Sequence, residues 1–266
     1  MKFLKYNLLF SFIYTFLLSF SIGFTYTQFL DYLWTILLFI SSLPAFIIIL
    51  AIILFLRLYV FKKPKTNTLS AHRFITEFAE YVLLLYGIRI SFINKELLPK
   101  DKNFVIVSNH EHNLDSFIIK VLFKDYPLSF ICKDTPFKYP VLSAILKYLG
   151  VVPMDRTSDR SSLKGILAGI EKLKEGQPVA IYPEGHRSKK REMNEFKAGA
   201  FKLAMKPKAS ILVLRIKDTY KFKEKKFLAI KRCSVEVLAL LQPEFYENMD
   251  SIELSNYTQN LIKKDL

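Results

Sequence analysis

Two short polar clusters carry residue types that could do chemistry. The first is Asn109-His110-Glu111-His112-Asn113-Leu114-Asp115, directly after the apolar run Phe104–Ser108. The second is Pro183-Glu184-Gly185-His186-Arg187-Ser188, directly after Pro178–Tyr182. In the first, a histidine at the end of a strand and an aspartate at the start of a helix can face each other across the turn. The Asp115 carboxylate would hold one imidazole N–H, fix the tautomer and stabilise the imidazolium once His110 takes a proton. No G-x-S-x-G elbow supplies a serine. The hydroxyl would therefore come from a substrate, deprotonated by His110 for attack on an acyl carbonyl, help worth about 10²–10⁴-fold. Two plainer readings stay open. Asp115 could simply cap its helix with His110 bonded nearby, or His110 and His112 could bind a metal with Glu111 or Asp115. The spacing is not H-E-x-x-H, and no second His/Cys cluster with ligand spacing follows.

In the second cluster Gly185 lets the backbone approach a ligand closely, and Arg187 offers a planar fork for phosphate. Glu184 could orient that arginine or bind a substrate hydroxyl. A surface turn with an incidental salt bridge is the alternative. His186 reads as incidental, and Lys189-Lys190-Arg191 as a solvated or membrane-facing patch. A third stretch, Gly150-Val151-Val152-Pro153-Met154-Asp155-Arg156, reads as a buried turn that delivers Arg156. Lys133 follows a strand at Leu128–Cys132. Together Lys133, Arg156 and Arg187 would form a basic pocket suited to an anionic headgroup.

These residues need elements to position them. Apolar spacing predicts helices at 70–85, 114–123, 138–149, 161–175, 197–205 and 252–263. Short apolar or alternating runs predict strands at 88–93, 104–108, 128–132, 178–182, 211–216, 227–231 and 235–241. Strand and helix alternate, so the expected fold is α/β, a mostly parallel sheet flanked by helices. In such folds sites gather at the carboxyl ends of strands, which is where both clusters fall. There is no internal repeat, low-complexity tract or coiled coil.

Composition adds a membrane. The 266 residues carry 39 Lys+Arg against 24 Asp+Glu, a net charge of +15, with 51% hydrophobic residues and a mean hydropathy of +0.21. That excludes disorder, and two cysteines, Cys132 and Cys233, exclude a disulfide scaffold. No charge interrupts 6–30 or 32–56, and a spanning helix needs roughly 20 apolar residues. A cleaved signal peptide starting at Lys2 and Lys5 is the alternative. The run is longer than a signal core, lacks a clear A-x-A site and is followed by a second run. Lys2 and Lys5 precede the pair, Arg57, Lys62, Lys63 and Lys65 follow it, and the connection between has none. The positive-inside rule puts both flanks in the cytoplasm. The basic remainder favours anionic lipid over nucleic acid, for which no zinc-finger spacing, RNP signature or helix-turn-helix is present. The amphipathic helix at 70–85 could help seat it on the membrane.

Taken together, the chain resembles the PlsC-type 1-acylglycerol-3-phosphate acyltransferase family. The family pattern N-H-x-x-x-x-D matches Asn109-His110 through Asp115, G-x-x-x-x-x-R matches Gly150 to Arg156, and F-P-E-G-x-R-S matches Tyr182 to Ser188. F-K-x-G-A-F follows at Phe196–Phe201. Tyr182 replaces the usual Phe and His186 the commoner Thr. A fourth block, normally like I-V-P-V, reads Ile211-Leu212-Val213-Leu214 without its Pro. With the apolar pair and its flanking cations, the expected organisation is an N-terminal membrane-anchoring helical hairpin over 1–62 and a cytoplasmic domain over 63–266, at the cell membrane, which the resemblance makes an acyltransferase domain. His110 would be the base on the glycerol 2-hydroxyl, oriented by Asp115. Arg156, Glu184, Gly185, Arg187 and Lys133 would bind the glycerol phosphate of a lysophosphatidate acceptor. The donor would be acyl-CoA or acyl-ACP, with no metal, cofactor or nucleic acid. Rival expectations are another lysophospholipid or lyso-aminolipid as acceptor, a metal hydrolase, or a non-catalytic membrane-anchored binder of anionic lipid.

Overall fold

A computed structural model of the chain describes residues 2–22, 29–59, 68–155, 158–225 and 229–264. It divides into two compact units, Met1–Lys63 and Pro64–Leu266.

In the first unit, helices α1 (Lys2–Ile22) and α2 (Phe29–Tyr59) pack along each other, with the Phe10 and Phe46 rings 5.7 Å apart. Asn7, Ser11, Thr15 and Ser19 recur every fourth residue of α1, which puts them on one face. All four are buried, as are Ser42, Phe46 and Leu50 of α2. Small polar side chains at this seam let the two backbones approach. The outward side chains, among them Phe12, Phe16, Phe20, Ile48 and Ile52, are apolar and exposed. By length and composition both helices are long and apolar enough to cross a membrane.

In the second unit, α3 (Leu69–Leu85) leads through Gly87 into strand β1 (Ile88–Ile93). Gly87 sits at φ +67°, and a Cβ there would come within 2.9 Å of the Ala229 carbonyl oxygen. The apolar face of α3 is turned into the domain: Ile75, Ala79, Tyr81 and Leu83 are buried, and α3 packs on α4 (Asp115–Leu122). Phe74, Phe78, Val82 and Leu85, from which the amphipathic pattern is read, are only half-buried.

The remaining elements are β2 (Phe104–Ser108), β3 (Ser129–Lys133), α5 (Pro140–Tyr148), β4 (Val152–Met154), α6 (Asp159–Lys174), β5 (Val179–Ile181), α7 (Lys202–Met205), β6 (Ser210–Lys217), β7 (Lys231–Leu241), α8 (Pro243–Tyr246) and α9 (Ser251–Lys263). The described strands form one seven-stranded sheet in the order β1-β7-β6-β2-β5-β3-β4. Five of them, β6, β2, β5, β3 and β4, run parallel. β7 pairs antiparallel with β6 and parallel with β1, so the two outer strands run the other way. β2 lies between β5 and β6 and is buried along its whole length, which is why it reads as an unbroken apolar run.

Three expectations are corrected. The strands expected at 227–231 and 235–241 are one strand, β7. Phe227 and Leu228 lie outside the described residues, and Ala229 and Ile230 precede the strand. Polar Arg232 and Ser234 fall on the less buried positions of its alternation. The buried turn expected at 150–155 is an edge strand, β4, whose Pro153 is exposed while Val152 and Met154 point inward. The helix expected over 197–205 is a 3₁₀ turn, Ala198–Phe201, followed by the short α7.

Candidate active site

β2 and β5 are neighbours, so the loops leaving their carboxyl ends meet. The first loop is locked at its root by Asn109. Its Nδ2 donates to the Ile216 carbonyl at 2.8 Å and its Oδ1 accepts from the Ile216 N–H at 2.8 Å, continuing the β2–β6 pairing one residue beyond the strand. The chain then turns so that His110 faces Asp115, the first residue of α4. His110 Nδ1 and Asp115 Oδ2 are 2.8 Å apart. The same oxygen accepts the Glu111 and His112 backbone N–H groups, each at 2.8 Å. Asp115 is fully buried, and its Oδ1 has no hydrogen-bond partner among the described residues. A carboxylate in the first turn of a helix is also favoured by the helix dipole.

The His110 ring lies on the Tyr182 ring, centroids 4.0 Å apart and 13° from parallel. The Tyr182 hydroxyl is 3.2 Å from Ser116 Oγ. Burial pushes the Tyr182 phenol well above its ordinary value, so it stays a neutral platform. The His110 side chain keeps 18% of its surface exposed while Asp115 keeps none. With Nδ1 bonded to Asp115, Nε2 is the ring nitrogen that can take up a proton.

The second loop is fastened to the first by Glu184. Its Oε1 accepts the His110 N–H at 2.7 Å, and its Oε2 accepts the Asn194 N–H and side-chain amide at 2.8 and 3.0 Å. Burial raises its pKa, against the pull of these bonds. The carboxylate expected to bind acceptor is thus bonded to protein through both oxygens, and its geometry is that of a clamp between loops. Ser188 adds to the fastening, its N–H donating to the His110 carbonyl at 2.8 Å. Gly185 adopts φ +74°, and a Cβ there would press on the Lys197 side chain at 3.2 Å. A left-handed turn in this tight place calls for glycine.

Arg187 is exposed and donates to Asn113 Oδ1, which ties the second loop's cation to the first loop. Lys133 is exposed at the carboxyl end of β3. Arg156 lies outside the described residues; β4 ends two residues before it. His186 and Lys189–Arg191 are exposed.

Sequence reasoning missed the part played by Glu111, which it weighed only as a metal ligand. Its Oε2 accepts from the Thr219 N–H at 2.9 Å, the Thr219 hydroxyl at 3.1 Å and the Tyr220 N–H at 3.2 Å. Burial pushes its carboxyl up to about 7; these hydrogen bonds oppose the shift and Asp115 adds to it. His112 turns away from His110, accepting the Leu114 N–H at 3.2 Å and meeting the Phe222 ring edge-on. Among the described residues no three His, Cys, Asp or Glu side chains gather as a metal-ligand set. Asn194 carried no signal in the sequence, because its task is set by a fold contact ten residues from Glu184.

Comparison with known proteins agrees with this architecture. A family model described as Acyltransferase matches residues 89–217. A 1-acyl-sn-glycerol-3-phosphate acyltransferase of Borreliella burgdorferi is 29% identical over 66% of this chain and 67% of its own length. A chloroplastic protein of the same description from Arabidopsis thaliana is 32% identical over 56% of this chain, but the match spans only 42% of that protein. Among solved structures, the 1-acyl-sn-glycerophosphate acyltransferase PlsC of Thermotoga maritima superposes with a TM-score of 0.64 at 22% identity. The match covers 80% of this chain and 85% of that one, a likeness of fold.

Proposed function

We propose that this chain, like the acyltransferases it is similar to, moves a fatty acyl group from acyl-CoA or acyl-ACP to the 2-hydroxyl of 1-acylglycerol-3-phosphate, giving phosphatidate. The observation that carries this reading is the 2.8 Å bond between His110 Nδ1 and buried Asp115 at the mouth of two strand-end loops. His110 Nε2 takes the hydroxyl proton as the acceptor oxygen attacks the thioester carbonyl. The tetrahedral adduct then expels the thiolate, which receives that proton from the imidazolium. Asp115 keeps the tautomer and balances the charge on the ring between the two events.

Arg187, with Arg156 and Lys133, binds the acceptor phosphate. Gly185 gives their loop its tight turn, and Glu184 acts as a positioning residue. α1 and α2 anchor the enzyme in the cell membrane with the catalytic unit on the cytoplasmic side. The flanking lysines and arginines support that orientation.

The test is direct. Purified protein in nanodiscs, given lysophosphatidate with acyl-CoA or with acyl-ACP, yields phosphatidate by mass spectrometry. His110→Ala, folded by circular dichroism, loses at least about 10²-fold in rate. Product from other lysolipids but not from lysophosphatidate would reassign the acceptor. No product from any of them would overturn the proposal.

A further inference from the structure

Glu111 sits between the two histidines of the first loop, yet its side chain reaches away from the proposed chemistry. It is 1% exposed, and its three bonds to Thr219 and Tyr220 pin the start of a 3₁₀ segment, Thr219–Glu224, that follows β6. The segment is also held from its other side. Phe222 is buried and its ring meets that of His112 at 5.6 Å and 70°. Asp218 turns the chain into the segment at φ +72°. A loop so fixed holds its next residue, Lys223, beside the loop that carries His110.

The cations around this loop differ in their engagements. Lys221 is paired with Asp218 at 2.7 Å and lies over the Tyr220 ring. Lys223 has no carboxylate at ion-pair distance among the described residues. Its charge falls on His112, as that of Arg187 does. The imidazole is held below its ordinary value by burial first; Asp115 opposes the shift, and Lys223, Arg187 and His110 deepen it. Arg187 is itself bonded to Asn113. Two cations from two different loops, one after β5 and one after β6, thus converge on the same short turn. Positive charges gathered about the loop that carries His110 suit a dianionic phosphomonoester on the same small molecule as the attacking hydroxyl.

We propose that Lys223 is a specificity-determining residue that binds the acceptor's phosphate together with Arg187, and that Glu111 is the positioning residue that holds Lys223 there. This inference rests on lysophosphatidate being the acceptor.

The experiment measures initial rates of the full-length protein in neutral phosphatidylcholine nanodiscs, varying lysophosphatidate and the acyl donor in turn. Lys223→Ala raises KM for lysophosphatidate about 10-fold, the effect of one lost charge-assisted contact. Its kcat and its KM for the donor stay within about twofold, and Lys223→Arg restores most of the acceptor affinity. Glu111→Ala raises the same KM to a similar degree, and the double variant is no worse than either single one, because the two residues act as a unit. An unchanged acceptor KM in Lys223→Ala, or a change that appears only in anionic nanodiscs, overturns the proposal. Additive effects of the two substitutions overturn the positioning role of Glu111. Wild-type protein that makes no phosphatidate overturns the acceptor reading itself, and this inference with it.

Discussion

Three donors converge on a single oxygen of Asp115: the His110 ring and the backbone N–H groups of Glu111 and His112. The backbone bonds fix the carboxylate before any substrate arrives, so the ring it holds is already aimed. In Asp115→Asn the amide oxygen can keep these contacts with its NH₂ at the unpartnered Oδ1 position, but the negative charge that balances an imidazolium is gone. The variant is expected to fold and to lose about 10²–10⁴-fold in kcat with little change in either KM, as measured by steady-state kinetics. The His110–Asp115 pair was legible in the sequence because both residues sit where a strand ends and a helix begins. The direction in which Glu184 points was not legible. A carboxylate beside an arginine reads the same whether it faces a ligand or, as here, two backbone amides brought together from separate loops.

At the scale of elements, α3, α4 and β3 are joined by one buried amine. Lys120 Nζ, near the end of α4, is hydrogen-bonded to His72 Nδ1 on α3 and donates to the Leu128 carbonyl at 2.9 Å. Gln177 lies against the other His72 nitrogen and donates to the Leu149 carbonyl at 2.8 Å. Burial pushes the Lys120 ammonium down to about 7. Between that value and the ordinary one near 10.5, the folded chain binds fewer protons than the unfolded chain. Stability therefore increases as pH rises through that window, and the gain is lost as pH falls toward 7. Denaturation midpoints at pH 7 and pH 9.5 are expected to show a rise in the wild type that Lys120→Met lacks. Nothing in the pattern of α4 marks this lysine, since its apolar neighbours alone define the buried face. Strand reading succeeded where burial is two-sided, as in β2, and failed at β4. Three residues centred on a proline carry too little periodicity to register as a strand.

At the scale of the whole molecule, apolar and basic residues are segregated along the chain, and the sequence announces that division plainly. It is silent on strand direction: hydropathy has no polarity, so the reversal of β7 and β1 emerges only from pairing. The proposed orientation predicts that protease added to inverted membrane vesicles digests the unit from Pro64 onward, while the same protease outside right-side-out vesicles leaves it intact. The opposite pattern, read by immunoblot, would reverse the topology. The sheet margin at Pro153 has a consequence of its own. An open strand edge is a row of amides on which another copy can zip, and that hazard grows when copies are confined to the two dimensions of a bilayer. A three-residue edge whose middle residue has no N–H is short by one donor in an already short row. Pro153 thus works as insulation, keeping crowded copies of the chain from stitching themselves together along this side.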